Sequence, residues 1–152
     1  MKSVTNLEST LVGVAGEYYV AAELTMRGHI ASITLRNSRG VDIIASNSDA
    51  SKSVSIQVKT INSSKPKWLL NQKSENFFSK NHFYIFVALR LLGERPDFYI
   101  VPSEAVAQYV KLSHASWLAG KKSDGSPRKD SDMRNFTDID SKYKEAWSLL
   151  NL

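Results

Sequence analysis

The sequence predicts one domain of mixed α/β class, a central mixed β-sheet of about five strands flanked by helices. Three observations lead there. An amphipathic stretch over 7–28 precedes three short strand-like runs, and 83–91 is a continuous apolar and aromatic run. A last helical pattern follows Pro102, and neither internal repeats nor a domain boundary interrupt the 152 residues.

Over 7–28, Leu7, Leu11, Val14, Ala15, Tyr18, Ala22 and Met26 recur at spacings of three and four, which predicts a helix with those residues on its buried face. Thr5 or Asn6 can cap its start, and Gly28 can stop it. Strands follow over 30–35, 41–45 and 54–61, separated by the turn Arg36-Asn37-Ser38-Arg39-Gly40 and by polar residues 47–52. Ser63-Ser64-Lys65-Pro66-Lys67 reads as an exposed basic loop running into Trp68-Leu69-Leu70. The run 83–91 suits a buried central strand, and 98–101 another. Ser103 is placed to cap a helix to about Leu118. The composition of 120–135, poor in apolar residues, predicts a mobile loop, and a closing helix from Asp138 or Asp140 would carry Tyr143, Ala146, Trp147 and Leu150.

Composition narrows the chemistry. Cysteine is absent, so disulfides, thiolate zinc sites and cysteine nucleophiles are excluded, which fits a reducing, cytoplasmic setting. The three histidines, His29, His82 and His114, are not spaced as metal pairs. No apolar run has the length of a membrane span, so no membrane partner is expected. The net charge is +5, but residues 50–90 hold seven basic side chains against Glu75 alone, so that window carries +6 and the rest −1. Charge gathered in this way attracts phosphate backbones.

The candidate site lies at Gly16-Glu17, Gly40-Val41-Asp42-Ile43-Ile44-Ala45 and Ser55-Ile56-Gln57-Val58-Lys59-Thr60. Each stretch puts a polar group into an apolar run, where an unpartnered one is costly. Gln57 and Lys59, two apart in a strand, share a face, and Val58 points to the other. In an antiparallel hairpin Asp42 would sit beside them. The Asp42 carboxylate, the Gln57 amide oxygen and the Val58 carbonyl form a set of hard oxygens suited to magnesium, with manganese as a substitute. Lys59 would orient or help deprotonate an attacking water. An ordinary Asp42–Lys59 ion pair is the plain alternative.

Glu17 on a helix, then Asp42, then Gln57-x-Lys59 fifteen residues on, resembles the PD-(D/E)XK, or restriction-endonuclease-like, nuclease superfamily. The similarity covers roughly residues 7–60 and is greatest to small homing-endonuclease or resolvase-like branches. It implies the restriction-endonuclease-like fold and a metal-dependent DNA endonuclease that leaves a 5′-phosphate. It also implies Glu17 on the metal directly or through water, Asp42 as central ligand and Lys59 as catalytic amine. Val41 replaces the motif's Pro, and Gln57 replaces its usual acid, which weakens attraction for a cation. The alternative is therefore a dormant nuclease-fold module for DNA or protein contact. Cutting both strands of a duplex needs two sites, hence a homodimer or homotetramer, with Trp117, Phe136 and Trp147 available for the interface. Arg36, Arg39, Lys65, Lys67 and Trp68 are the candidate DNA contacts, with Trp68 stacking on a base or else anchoring its loop.

Overall fold

The computed structural model describes residues 6–35 and 39–152. Helix α1 (Ser9–Met26) leads into β1 (Ile30–Ile33), β2 (Ile43–Ser46) and β3 (Ser53–Ile61). After β4 (Trp68–Asn71) and a 3-10 turn (Gln72–Glu75) come β5 (His82–Ala88), β6 (Asp97–Pro102), α2 (Ser103–Ala119) and β7 (Met133–Phe136), and a 3-10 turn, Trp147–Leu150, lies near the end. The main sheet runs β1-β2-β3-β5-β6, and β4 pairs with β7 as a separate ribbon. All sheet neighbours are antiparallel except β3 and β5, which are parallel in the register Gln57↔Tyr84 and Lys59↔Phe86. This is the single mixed α/β domain that the sequence predicts.

Strand β5 is buried at every residue because both faces of the sheet are covered. Phe83, Ile85 and Val87 join Ile43, Ile56 and the α1 residues Val12, Val20 and Leu24 in one core layer. Tyr84, Phe86 and Ala88 join Trp68, Leu70, Val106, Val110 and Phe136 in the other. Side-chain alternation in β3 thus sends Ile56 to the α1 side, and Gln57 and Lys59 to the side of α2 and the β4–β7 ribbon.

Of the residues predicted along the apolar side of α1, Leu7 and Ala15 pack against the core, but the most buried stripe is a different one. Val12, Gly16, Val20 and Leu24 face the sheet, whereas Leu11 and Tyr18 are exposed and Met26 is 84% exposed. The helix is apolar nearly all round, so spacing alone does not choose a face; Gly16 does. A Cβ built on Gly16 would lie 1.7 Å from Thr60 Oγ1 and 2.8 Å from Thr60 Cβ, so α1 touches β3 where only glycine fits. Gly16→Ala is expected to destabilise the fold by about 1–3 kcal/mol. A chemical melt would check this, and an unchanged midpoint would refute the close approach.

Other expectations are corrected. Thr5 lies outside the described residues, and Glu8, not Asn6, holds the cap position, with no side-chain cap bond. Pro102 rather than Ser103 occupies the cap of α2; Ser103 Oγ instead accepts from Ser79 N and donates to Ser79 O, both at 3.1 Å. Residues 68–70 form β4 rather than the end of a loop, since Trp68 and Leu70 alternate inward. The expected loop over 120–135 contains most of β7, with Arg134 buried. The predicted closing helix is absent. Ser141 and Glu145 have positive φ, and the segment follows β6 through Ile100 N to Tyr143 O at 3.0 Å and Glu145 N to Phe98 O at 2.8 Å. The Asp138 carboxylate accepts from Lys142 N and Tyr143 N and closes a turn where a helix was expected to begin. Phe136 is in the α2-side core layer and Trp147 packs against the α1-side layer, so only Trp117 of the suggested interface aromatics is exposed. Among the described residues no helix is long and apolar enough to cross a membrane.

Candidate active site

The site forms where β2 stops and β3 continues. Ile43 opposes Ile56, and the ladder ends one residue earlier with Asp42 N donating to Ile56 O at 2.8 Å. Beyond that point β3 has no β2 partner, and the Asp42 side chain fills the gap: Val58 N donates to Asp42 Oδ2 at 2.7 Å. A strand residue presents its N–H and C=O to the same edge, so the Val58 carbonyl faces the same opening. Asp42 sits beside β3 here, close enough for the charge of Lys59 to act on it, while Val58 packs against the α1-side core. The antiparallel hairpin inferred from the sequence is therefore present, with Asp42, Gln57, Val58 and Lys59 at one corner.

Asp42 is half-buried, and burial raises its carboxyl pKa; the Val58 N–H and the positive charge of Lys59 pull the other way without cancelling that effect. A carboxylate held in this manner is under-compensated and suits a cation. The set fits a hard divalent ion: one carboxylate whose Oδ2 alone is used by Val58 N, one amide oxygen and one carbonyl. Among the described residues no three His, Cys, Asp or Glu side chains converge.

Because its folded pKa is raised, Asp42 favours the folded state only while protonated, and stability falls as pH rises through the carboxylate range. Asp42→Asn keeps an acceptor for Val58 N–H and removes the charge. It is expected to melt no lower than the parent at pH 7 and to lose any stabilisation by magnesium. For the parent, magnesium at ten times its dissociation constant should add about 1.4 kcal/mol, or about 3–6 °C. Melting curves at pH 4 and pH 7 with and without magnesium check both effects, and an Asp42→Asn midpoint still raised by magnesium would refute the assignment.

Gln57 and Lys59 open into a cleft of about 580 Å³ lined also by Arg39, Gly40, Leu70, Asn71, Lys73, Ser74, Phe77 and Tyr84. Burial pushes the Tyr84 phenol up to about 12, so it is neutral there. Beneath the wall, His82 Nδ1 lies 2.8 Å from Ser55 Oγ, and burial lowers the His82 pKa.

The other expected site residues are spread more widely. Glu17 is half-buried on α1 next to Gly16, so it rises from the opposite face of the sheet and does not line the cleft. Arg36 lies outside the described residues. Arg39 lines the cleft. Lys65 is exposed in its loop, and Lys67 lines a different cleft with His114 and Trp117. Trp68 cannot stack on a base. It is fully buried against Phe86 and Tyr99, and its Nε1 donates to Val87 O at 3.1 Å. Sequence reasoning passed over Lys73, Asn71 and Phe77 as site residues; the adjacent Phe77-Phe78 among polar neighbours was the one available sign.

The chain aligns in structure with a bacterial homing endonuclease, I-Ssp6803I, over 95% of its length and 92% of that chain, with a TM-score of 0.52 and 14% identity. The two chains share a fold. A Holliday junction resolvase, Hjc of the archaeal hyperthermophile Archaeoglobus fulgidus, aligns over 86% of each chain at a TM-score of 0.48 and 14% identity. No protein-family model matches the chain, and no curated protein matches it.

Proposed function

We propose that the protein is a divalent-metal-dependent DNA endonuclease, cutting phosphodiester bonds at the corner between β2 and β3. The observation that carries the reading is the Asp42 carboxylate bonded to Val58 N–H on the same strand that presents Gln57 and Lys59 to a cationic cleft.

Asp42, the Gln57 amide oxygen and the Val58 carbonyl would hold magnesium or manganese, and Glu17, on the α1 side of the sheet, would act on it through water. Bound there, the ion supplies Lewis-acid polarisation of the phosphate and a more acidic water. Lys59 opens into the cleft and its charge reaches Asp42, so its ammonium would hold the phosphate and balance charge that grows as the bond breaks. Arg39 and Lys73 flank it and attract the strand on either side. The core on both sides of β3 holds Gln57 and Lys59 on a rigid strand, so little reorganisation is needed. Two copies of the site, in a homodimer or homotetramer, would cut both strands. One domain and a cytoplasmic location belong to the same reading.

A second reading rests on Gln57: its neutral amide attracts a cation less than an acid would, and a non-cleaving DNA-binding module with the same fold follows. Incubation with a complex duplex DNA pool in magnesium or manganese, followed by sequencing of new ends, separates the two. Ends that cluster and vanish with Lys59→Ala support the nuclease. Absence of Lys59-dependent ends on duplex and branched DNA refutes it.

A further inference from the structure

The cleft beside Lys59 is larger and more aromatic than a phosphate needs. Its lining contains three cations, Arg39, Lys59 and Lys73, and no carboxylate. Its volume of about 580 Å³ is within the range of small-ligand sites. One wall is the ring of Phe77, which is 42% exposed.

That ring is held in place. Phe77 Cε1 would lie 2.8 Å from a Cβ on Gly40, so the ring seats against a residue that must be glycine, whose φ is +63°. Its edge-to-face partner is His82, with centroids 5.0 Å apart. The backbone of the turn that carries Lys73 is held as firmly. Asn71 Oδ1 accepts from Lys73 N at 3.0 Å, Ser74 Oγ donates to Asn71 O at 2.6 Å, and Glu75 of the same turn is tied to the buried Arg134. An aromatic face beside cations on anchored backbone matches one nucleotide: base on the ring, phosphates on the cationic side chains.

We infer that this cleft is a subsite for a single unstacked nucleotide of the DNA strand, with Phe77 as the stacking platform and Lys73 and Arg39 on the adjoining phosphates. A base inside an intact duplex has neighbours on both faces and does not reach such a wall, so the subsite favours DNA with an unpaired or extruded base. The inference rests on the DNA reading above but not on cleavage.

Anisotropy in EDTA at fixed salt tests it with three fluorescein-labelled probes: a paired duplex, the same duplex with one unpaired thymidine, and its single strand. The unpaired-base duplex should bind roughly 5- to 150-fold more tightly than the paired one. Phe77→Ala and the better-packed Phe77→Leu should both remove that preference, and Phe78→Ala, at an exposed position outside the cleft, should keep it. Lys73→Gln should weaken all three probes alike and flatten the salt dependence by about one phosphate contact. No preference, or one that survives Phe77→Leu, overturns the subsite. Cleavage in magnesium is read separately. A Phe77-dependent preference without cleavage supports the subsite and refutes only the nuclease, while cleavage without the preference refutes the subsite alone.

Discussion

Lys59→Ala is expected to slow DNA cleavage about 10²- to 10⁴-fold, about 2.7–5.4 kcal/mol of barrier. The reason is placement: Lys59 shares a strand face with Gln57 and lines the cleft that would receive the phosphate. Its charge also opposes the burial of Asp42, so the variant should raise the Asp42 pKa further. The magnesium-induced rise in melting temperature should persist, because the oxygens that would hold the ion remain. Lys59→Arg separates two roles. A guanidinium keeps the charge but does not give up a proton, so partial activity would indicate electrostatic work, and full loss would indicate proton transfer. Cleavage within tenfold of the parent in Lys59→Ala would remove this residue from the mechanism.

Glu75→Ala is the second large expectation, a destabilisation of about 3–5 kcal/mol. Arg134 is 4% exposed; its Nε donates to Glu75 Oε1 at 2.7 Å and its Nη1 to the carbonyls of Ser131 and Met133. Removing Glu75 leaves a buried guanidinium without its anion. The paired variant Glu75→Leu with Arg134→Met buries no charge and should recover most of the loss. Both belong in one denaturant series, and a Glu75→Ala midpoint near the parent's would show that water compensates the cation. The pair also holds the turn that carries Lys73, so Glu75→Ala should weaken DNA binding at temperatures where the domain is still folded.

Much of the site was legible because its signals are local. Asp42 before a strand, Gln57 and Lys59 two apart in another, and a short polar turn between them specify a hairpin with one polar corner, whatever the rest of the chain does. The apolar run of β5 likewise reads as a strand covered on both faces, because continuous burial needs continuous hydrophobicity. The misread elements share the opposite property. In α1 apolar residues surround the helix, and the close approach of Gly16 to Thr60, forty-four positions away, selects the buried stripe. The β7 strand looked like solvated loop because Arg134 and its neighbours are polar, yet Glu75, fifty-nine residues earlier, neutralises that arginine in the interior. Trp68 beside two lysines looked like a nucleic-acid contact until the core offered its indole N–H the Val87 carbonyl.

The amino-acid sequence by itself determined the mixed α/β class, the polar corner of Asp42, Gln57 and Lys59, and a basic middle third, since alternation and local charge need no partner to be read. Only the tertiary structure decided that Phe77 faces the cleft beside Lys73, that Trp68 does not, and that Glu17 approaches from the other side of the sheet. Those outcomes depend on contacts between residues distant in the chain, whose energies no local pattern encodes.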